Sequence, residues 1–212
     1  MFALRDPLVI LYFAVALLIS LSVHEASHAF TADQLGDPTA RSMGRLTLNP
    51  IAHLDAIGAF VLVISSLAGF GIGWGKPVPV NPRYLRRGPL ANLANGPLVG
   101  MAIVALAGPV SNLLLAILGT QVLRLTPLPS QFVGTFIFVN VLLMVFNLIP
   151  IPPLDGYRVL LGILPTQPAY TLARLEPYGP GVLILLVFLA PGVLSTILTT
   201  FSGPILNFIG RT

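Results

Sequence analysis

Cysteine is absent from this chain of 212 residues. Its absence excludes a disulfide framework, a thiolate nucleophile and any thiolate metal site. Charge is nearly absent as well. Charged residues make up 8% of the chain, where a soluble domain carries about a quarter. So few charges cannot cover a water-facing globular surface, which excludes a soluble domain. The net charge of +4 comes from basic residues spread over the loops between apolar runs. That is the positive-inside pattern of a membrane protein and not a nucleic-acid footprint. The first apolar run also lacks an A-x-A-like end after a short core, so it is not read as a cleaved signal peptide.

What the chain has is oil. Hydrophobic residues make up 55% of it, and the mean hydropathy is +0.91. Apolar runs occupy residues 8–24, 56–74, 97–122, 132–149 and 181–209. A spanning helix needs about 20 such residues. Pro7 opens the first helix, which is expected to run to about Ala32. The second run is rich in glycine and broken by Ser65 and Ser66. Between the second and third runs lies "GKPVPVNPRYLRRGP", whose prolines forbid a helix. The expected fold is an all-α polytopic membrane protein, a bundle of about four to six transmembrane or re-entrant helices. A short extended or β loop is expected near residues 76–82. The whole chain, 1–212, reads as one membrane domain with its core at about 8–165 and a C-terminal span at about 180–209.

Three ionisable residues interrupt the first run, in "SVHEASHAF" at 22–30. His24 and His28 are four residues apart, so on a helix they share one face a turn apart. Two imidazoles at that spacing can hold one Zn²⁺, and Glu25 beside them can act as general base on a water. His24 stands 16 residues after Leu8, about 24 Å along the helix and inside a hydrocarbon core of about 30 Å. Ionisable groups at that depth are costly and mark function.

A catalytic zinc usually has three protein ligands. The candidates for the third are His53, Asp55, Asp155 and Glu176. Asp155 stands out because "FNLIPIPPLDGYR" (146–158) ends an apolar helix in three prolines. Irregular backbone at membrane depth is tolerated where it is packed in protein or lines a wet cavity. Gly156 is expected to let the chain turn tightly there. His53, a lone histidine after an Asn-Pro turn, reads as structural. Asn140 reads as helix–helix glue, and Asn112 in "AGPVSN" as packing, with Gly108 and Pro109 letting helices approach or bend.

The motifs HEASH and NLIPIPPLDG resemble the site-2 protease family of intramembrane zinc metalloproteases. "GDPTARSMGRLTLNPIAHLDAIG", "GKPVPVNPRYLRR" and "AGPVSN" are similar to its short branch without a PDZ domain. The resemblance spans about residues 20–160. It implies one Zn²⁺ per chain held by His24, His28 and Asp155, Glu25 as general acid/base, and Asn147 as a donor to the oxyanion, for which a helix-capping or helix–helix hydrogen bond is the equal alternative. It also implies transmembrane protein substrates in a lipid bilayer. A substrate segment must be extended before it is cut, and Val78, Pro79, Val80 and Asn81 offer an edge for it. A rigid interfacial loop is the equal alternative for that segment. A zinc carrier or an inactive scaffold would use the same metal residues. A carrier, however, needs a second polar path, and residues 179–210 carry no charge.

Counting gives a topology. His24, His28 and Asp155 meet at one depth only if the first and fourth runs cross in the same direction. One of the two runs between them is therefore not a full crossing, and 56–74 is the expected re-entrant one. Eight basic residues then share one side (Arg41, Arg45, Lys76, Arg83, Arg86, Arg87, Arg158, Arg174) against Arg5, Arg124 and Arg211. The expected location is a prokaryotic plasma membrane with the site toward the cytoplasm.

Overall fold

A computed structural model describes residues 6–55, 58, 75–85, 96–125 and 127–210. Helix α1 runs Pro7–Gln34, with Pro7 at its first position and the Asp6 carboxylate capping Leu8 N–H at 2.9 Å. It ends where Gly36 takes a left-handed φ of 95° and Asp37 N–H reaches back to the Ala32 carbonyl at 2.9 Å. Short helices α2 (Thr39–Ser42), α3 (Pro50–His53) and α4 (Pro82–Leu85) follow. Then come the long α5 (Gly96–Leu125) and α6 (Ser130–Asn147). After the proline segment lie α7 (Asp155–Ile163), α8 (Thr166–Ala173), α9 (Gly179–Leu189) and α10 (Pro191–Ile209).

The fold is all-α, with five helical stretches long and apolar enough to cross a membrane: Pro7–Gln34, Gly96–Leu125, Ser130–Asn147, Thr166–Leu189 and Pro191–Ile209. Among the described residues there is no strand. Residues 76–81 are non-helical, and a single antiparallel bridge joins Leu54 to Gly75. The final apolar run is not one continuous helix. It breaks at Ala190, because Pro191 has no N–H to continue the ladder and its ring excludes the preceding turn.

Side-chain ties fix the helix directions. Along α1, Ser20, His24 and His28 meet Asn112, Asn112 and Val104 of α5, so the two helices are antiparallel. Along α5, Asn112 and Gly119 meet Asn140 and Ile137 of α6, again antiparallel. Hence α1 and α6 run the same way, as counting predicts. The end of α1 and the start of α5 lie at one end of the bundle. The expected re-entrant run, 56–74, falls outside the described residues apart from Gly58.

Beyond α6 the chain does not simply turn. Asp155 opens α7, which continues in the direction of α6 and packs against the first half of α5, with Gly162 against Leu98 and Ala102. Gly156 is inside this helix and no positive φ is recorded there, which corrects the tight-turn expectation. Its constraint is steric. A Cβ at 156 would stand 2.2 Å from the Leu148 carbonyl oxygen, so only glycine lets α7 dock against the end of α6.

Candidate metal centre

The break between α6 and α7 brings Asp155 to the face of α1 that carries both histidines. His24 Nε2 and His28 Nε2 are 3.0 Å apart, and Asp155 Oδ2 lies 3.2 Å from the first and 3.3 Å from the second. Among the described residues this is the only trio of metal-ligating side chains that converges. A tetrahedral zinc with bonds of about 2.0–2.1 Å would set its ligands about 3.3 Å apart. The triangle fits.

Proton placement makes the same case. His28 Nδ1 is 2.7 Å from the Val104 carbonyl, which can only accept, so Nδ1 carries the proton. His24 Nδ1 is 2.6 Å from Asn112 Oδ1 and donates likewise. With its proton on Nδ1, each imidazole in the neutral form a metal requires presents its Nε2 lone pair to the other and to a carboxylate oxygen. Asp155 Oδ2 is buried and no N–H or O–H donates to it. Three lone-pair donors with no proton among them repel unless a cation sits between them. The residues present suit Zn²⁺.

Burial is what gives the site its strength. His24, Glu25 and His28 are buried in the bundle. Gly108 of α5 faces the imidazoles so closely that a Cβ there would lie 2.5 Å from His28 Nε2. Pro109, fully buried, follows it and removes one rung of the α5 ladder. Glu25 Oε2 accepts a hydrogen bond from Val78 N–H at 3.2 Å, which ties the proposed base to the proline segment.

That segment is anchored twice. Asp37 is completely buried, and its Oδ2 accepts Asn81 N–H at 2.6 Å while Oδ1 caps Thr39. Val78 packs with Ala29 of α1 and Ala40 of α2. Since Pro79 has no N–H, the backbone donors at 78 and 81 are both committed to carboxylates, and the Asn81 carbonyl accepts Tyr84 N–H at 3.0 Å, so among the described residues the Val80 N–H and the carbonyls of 78–80 are the groups left without a backbone partner. Asn81 is also committed through its side chain, whose Oδ1 accepts Arg83 N–H at 3.1 Å.

The other sequence candidates separate cleanly. His53 donates from Nε2 to the Thr47 carbonyl at 2.8 Å and is not among the converging side chains. Asp55 caps Gly58 N–H at 2.7 Å. Glu176 pairs with Arg158 at 2.8 Å. Asn147 donates to the Leu143 carbonyl of its own helix at 3.0 Å. Asn140 is helix–helix glue, holding Asn112 at 2.9 Å. Asn112 is more than the packing residue expected, because its oxygen receives the proton of His24. The available signal was an amide in an otherwise apolar run, four residues and one turn beyond Gly108.

The chain is similar to proteins of known name. It is 37% identical over 193 residues to YwhC of Bacillus subtilis (strain 168), covering 85% of this chain and 81% of that protein. It is 33% identical over 178 residues to Rip2 of Mycolicibacterium smegmatis, covering 80% of this chain and 64% of that protein. Rip2 of Mycobacterium tuberculosis (strain H37Rv) is 33% identical over 180 residues, covering 82% and 65%. The chain thus spans just under two thirds of the Rip2 proteins. All three are named "Putative zinc metalloprotease". No family model and no solved structure matches the chain.

Proposed function

The chain belongs to the zinc metalloprotease family of YwhC and Rip2, and from that premise we propose that it is an intramembrane endopeptidase of the site-2 type. Its substrates are transmembrane segments of other proteins, cut within the bilayer. One observation carries this reading: a His–His–Asp triangle with a glutamate beside it, buried among helices long and apolar enough to span.

His24, His28 and Asp155 would hold one Zn²⁺. When bound, zinc supplies a Lewis acid and brings the pKa of its water to about 7. Glu25 takes the proton of the attacking water and delivers it to the leaving amine. Val78 N–H holds Glu25 Oε2, which leaves the other carboxylate oxygen to carry that proton. Asn147 is the proposed oxyanion donor, since its amide has a second N–H beyond the one given to Leu143. The segment 78–81 receives the substrate in extended form, through the Val80 N–H and the carbonyls of residues 78–80. The full chain acts as one domain in a prokaryotic plasma membrane, with the site toward the cytoplasm.

Purified protein incubated with a panel of membrane substrates, with and without chelator, tests the activity. Glu25→Gln should keep its zinc while cleavage falls about 10²–10⁴-fold, because an amide cannot accept the water's proton. Near-normal turnover in that variant would sink the assignment.

A further inference from the structure

The two histidines are held differently. His28 faces a backbone carbonyl, which fixes its proton outright. His24 faces the side-chain amide of Asn112, and an amide can present either its oxygen or its nitrogen. With nitrogen facing it, His24 would have to carry its proton on Nε2 and would point an N–H into the metal site.

Asn112 has no such choice. Its Nδ2 lies 2.9 Å from Asn140 Oδ1 and 3.4 Å from the Ser20 carbonyl. Asn140 Nδ2 donates in turn to the Phe136 carbonyl at 2.9 Å. A carbonyl only accepts, so the polarity is set at Phe136 and runs one way, through Asn140 and Asn112 to His24. Both asparagines have no exposed surface, so bulk water cannot substitute for either partner.

We propose that Asn112 and Asn140 are a positioning pair that fixes the proton of His24 on Nδ1 and thereby sets the affinity of the site for zinc. Asn140 does so from a helix that contributes no ligand. The proposal rests on the zinc reading of the site. Plain helix–helix glue predicts something else: loss of stability, with zinc affinity unchanged in protein that remains folded.

The test is zinc affinity of the detergent-purified full chain, by competition with a fluorescent chelator, beside helix content and melting of the zinc-free protein. Asn112→Leu should bind zinc about 10–100-fold more weakly, the usual cost of losing a ligand's hydrogen-bond partner. Asn140→Leu should lose about 10-fold, because Ser20 still holds Asn112. Asn112→Asp keeps an acceptor for the His24 proton and should stay within about 3-fold of wild type. Wild-type affinity in Asn112→Leu or Asn140→Leu would overturn the proposal, as would Asn112→Asp binding as weakly as Asn112→Leu. If Asn112→Leu does not fold, Asn140→Leu and Asn112→Asp decide. Wild-type protein that takes up no zinc overturns the metal reading and the positioning proposal together. Wild type that binds while the variants match it overturns positioning alone.

Discussion

Helices α1, α5 and α6 bury nine polar side chains (Ser20, Ser22, His24, Glu25, His28, Asn112, Thr120, Thr135 and Asn140) among apolar ones such as Val104, Val139 and Val141, whereas α9 and α10 bury one, Ser202, beside Val187, Leu194 and Ile209. Meanwhile Leu8, Leu11 and Ile19 of α1 stand 43–55% exposed. In water this would be inside out. In lipid, apolar surface gains little by pairing with apolar surface, and association rests on close packing and on polar groups that need partners. Burial in the first region therefore follows the chemistry. In the second it follows shape. The two regions should respond to substitution in different ways.

The largest difference is expected at the third ligand. Asp155→Ala should lose most bound zinc and all measurable cleavage, while His53→Ala should keep its metal, since the His53 ring donates to the Thr47 carbonyl and is not among the converging ligands. Metal analysis of both purified variants checks this. An empty site in His53→Ala beside a filled one in Asp155→Ala would replace the ligand set.

A smaller and opposite effect is expected in the C-terminal region. Ile209 is 2% exposed and packs into the cluster of Ala116, Val133 and Ile137, at the end of the bundle away from the start of α5. Ile209→Ala should cost about 2 kcal/mol of stability, the low end for a buried truncation, since lipid and not water meets the exposed surface. Zinc affinity should not move. A drop in both would mean that α10 belongs to the frame of the site, and the contrast between regions would go.

Much of this contrast was legible in the sequence. The i, i+4 histidines, the adjacent glutamate and an aspartate after three prolines are spacings, and helix geometry turns spacings into neighbours. The structure brings Asp155 to the two histidines that helix spacing pairs, a meeting that the family resemblance and not the spacing implied. The role of Asn112 was hidden because periodicity places a residue on a helix without saying which side chain on another helix faces it. The close approach of Gly156 to Leu148 was hidden for the same reason: it depends on the docking of two helices, while the sequence shows only a flexible residue after an aspartate. The break at Pro191 was visible in kind, since proline stops helices. It was overridden by the hydrophobicity on either side.

The smallest functional effect, and the sharpest test of how the two regions sit in the bilayer, is expected from cysteines that should disturb nothing. Since α1 and α5 are antiparallel, residues 35–95 leave and return at one end of the bundle, whatever path 56–74 takes. Asn81 N–H bonded to Asp37 and Val78 N–H bonded to Glu25 hold the returning segment beside the end of α1. The α5–α6 connection lies at the other end, where Arg124 also bonds the carbonyl of Gly210 at the close of α10. The chain has no native cysteine, so single cysteines at Ser42, Arg83 and Leu128, all exposed, can be labelled without background. An impermeant thiol reagent on intact cells should label position 128 alone. Positions 42 and 83 should react only after permeabilisation, because the sequence count expects eight of the eleven basic residues on their side, which should then face the cytoplasm. Labelling of 128 only after permeabilisation, with 42 and 83 open, would invert the molecule but leave the fold intact. Finding 42 and 83 on opposite sides would mean that 56–74 crosses the membrane fully. Then α1 and α6 could not both span in one direction, and His24, His28 and Asp155 could not meet at one depth.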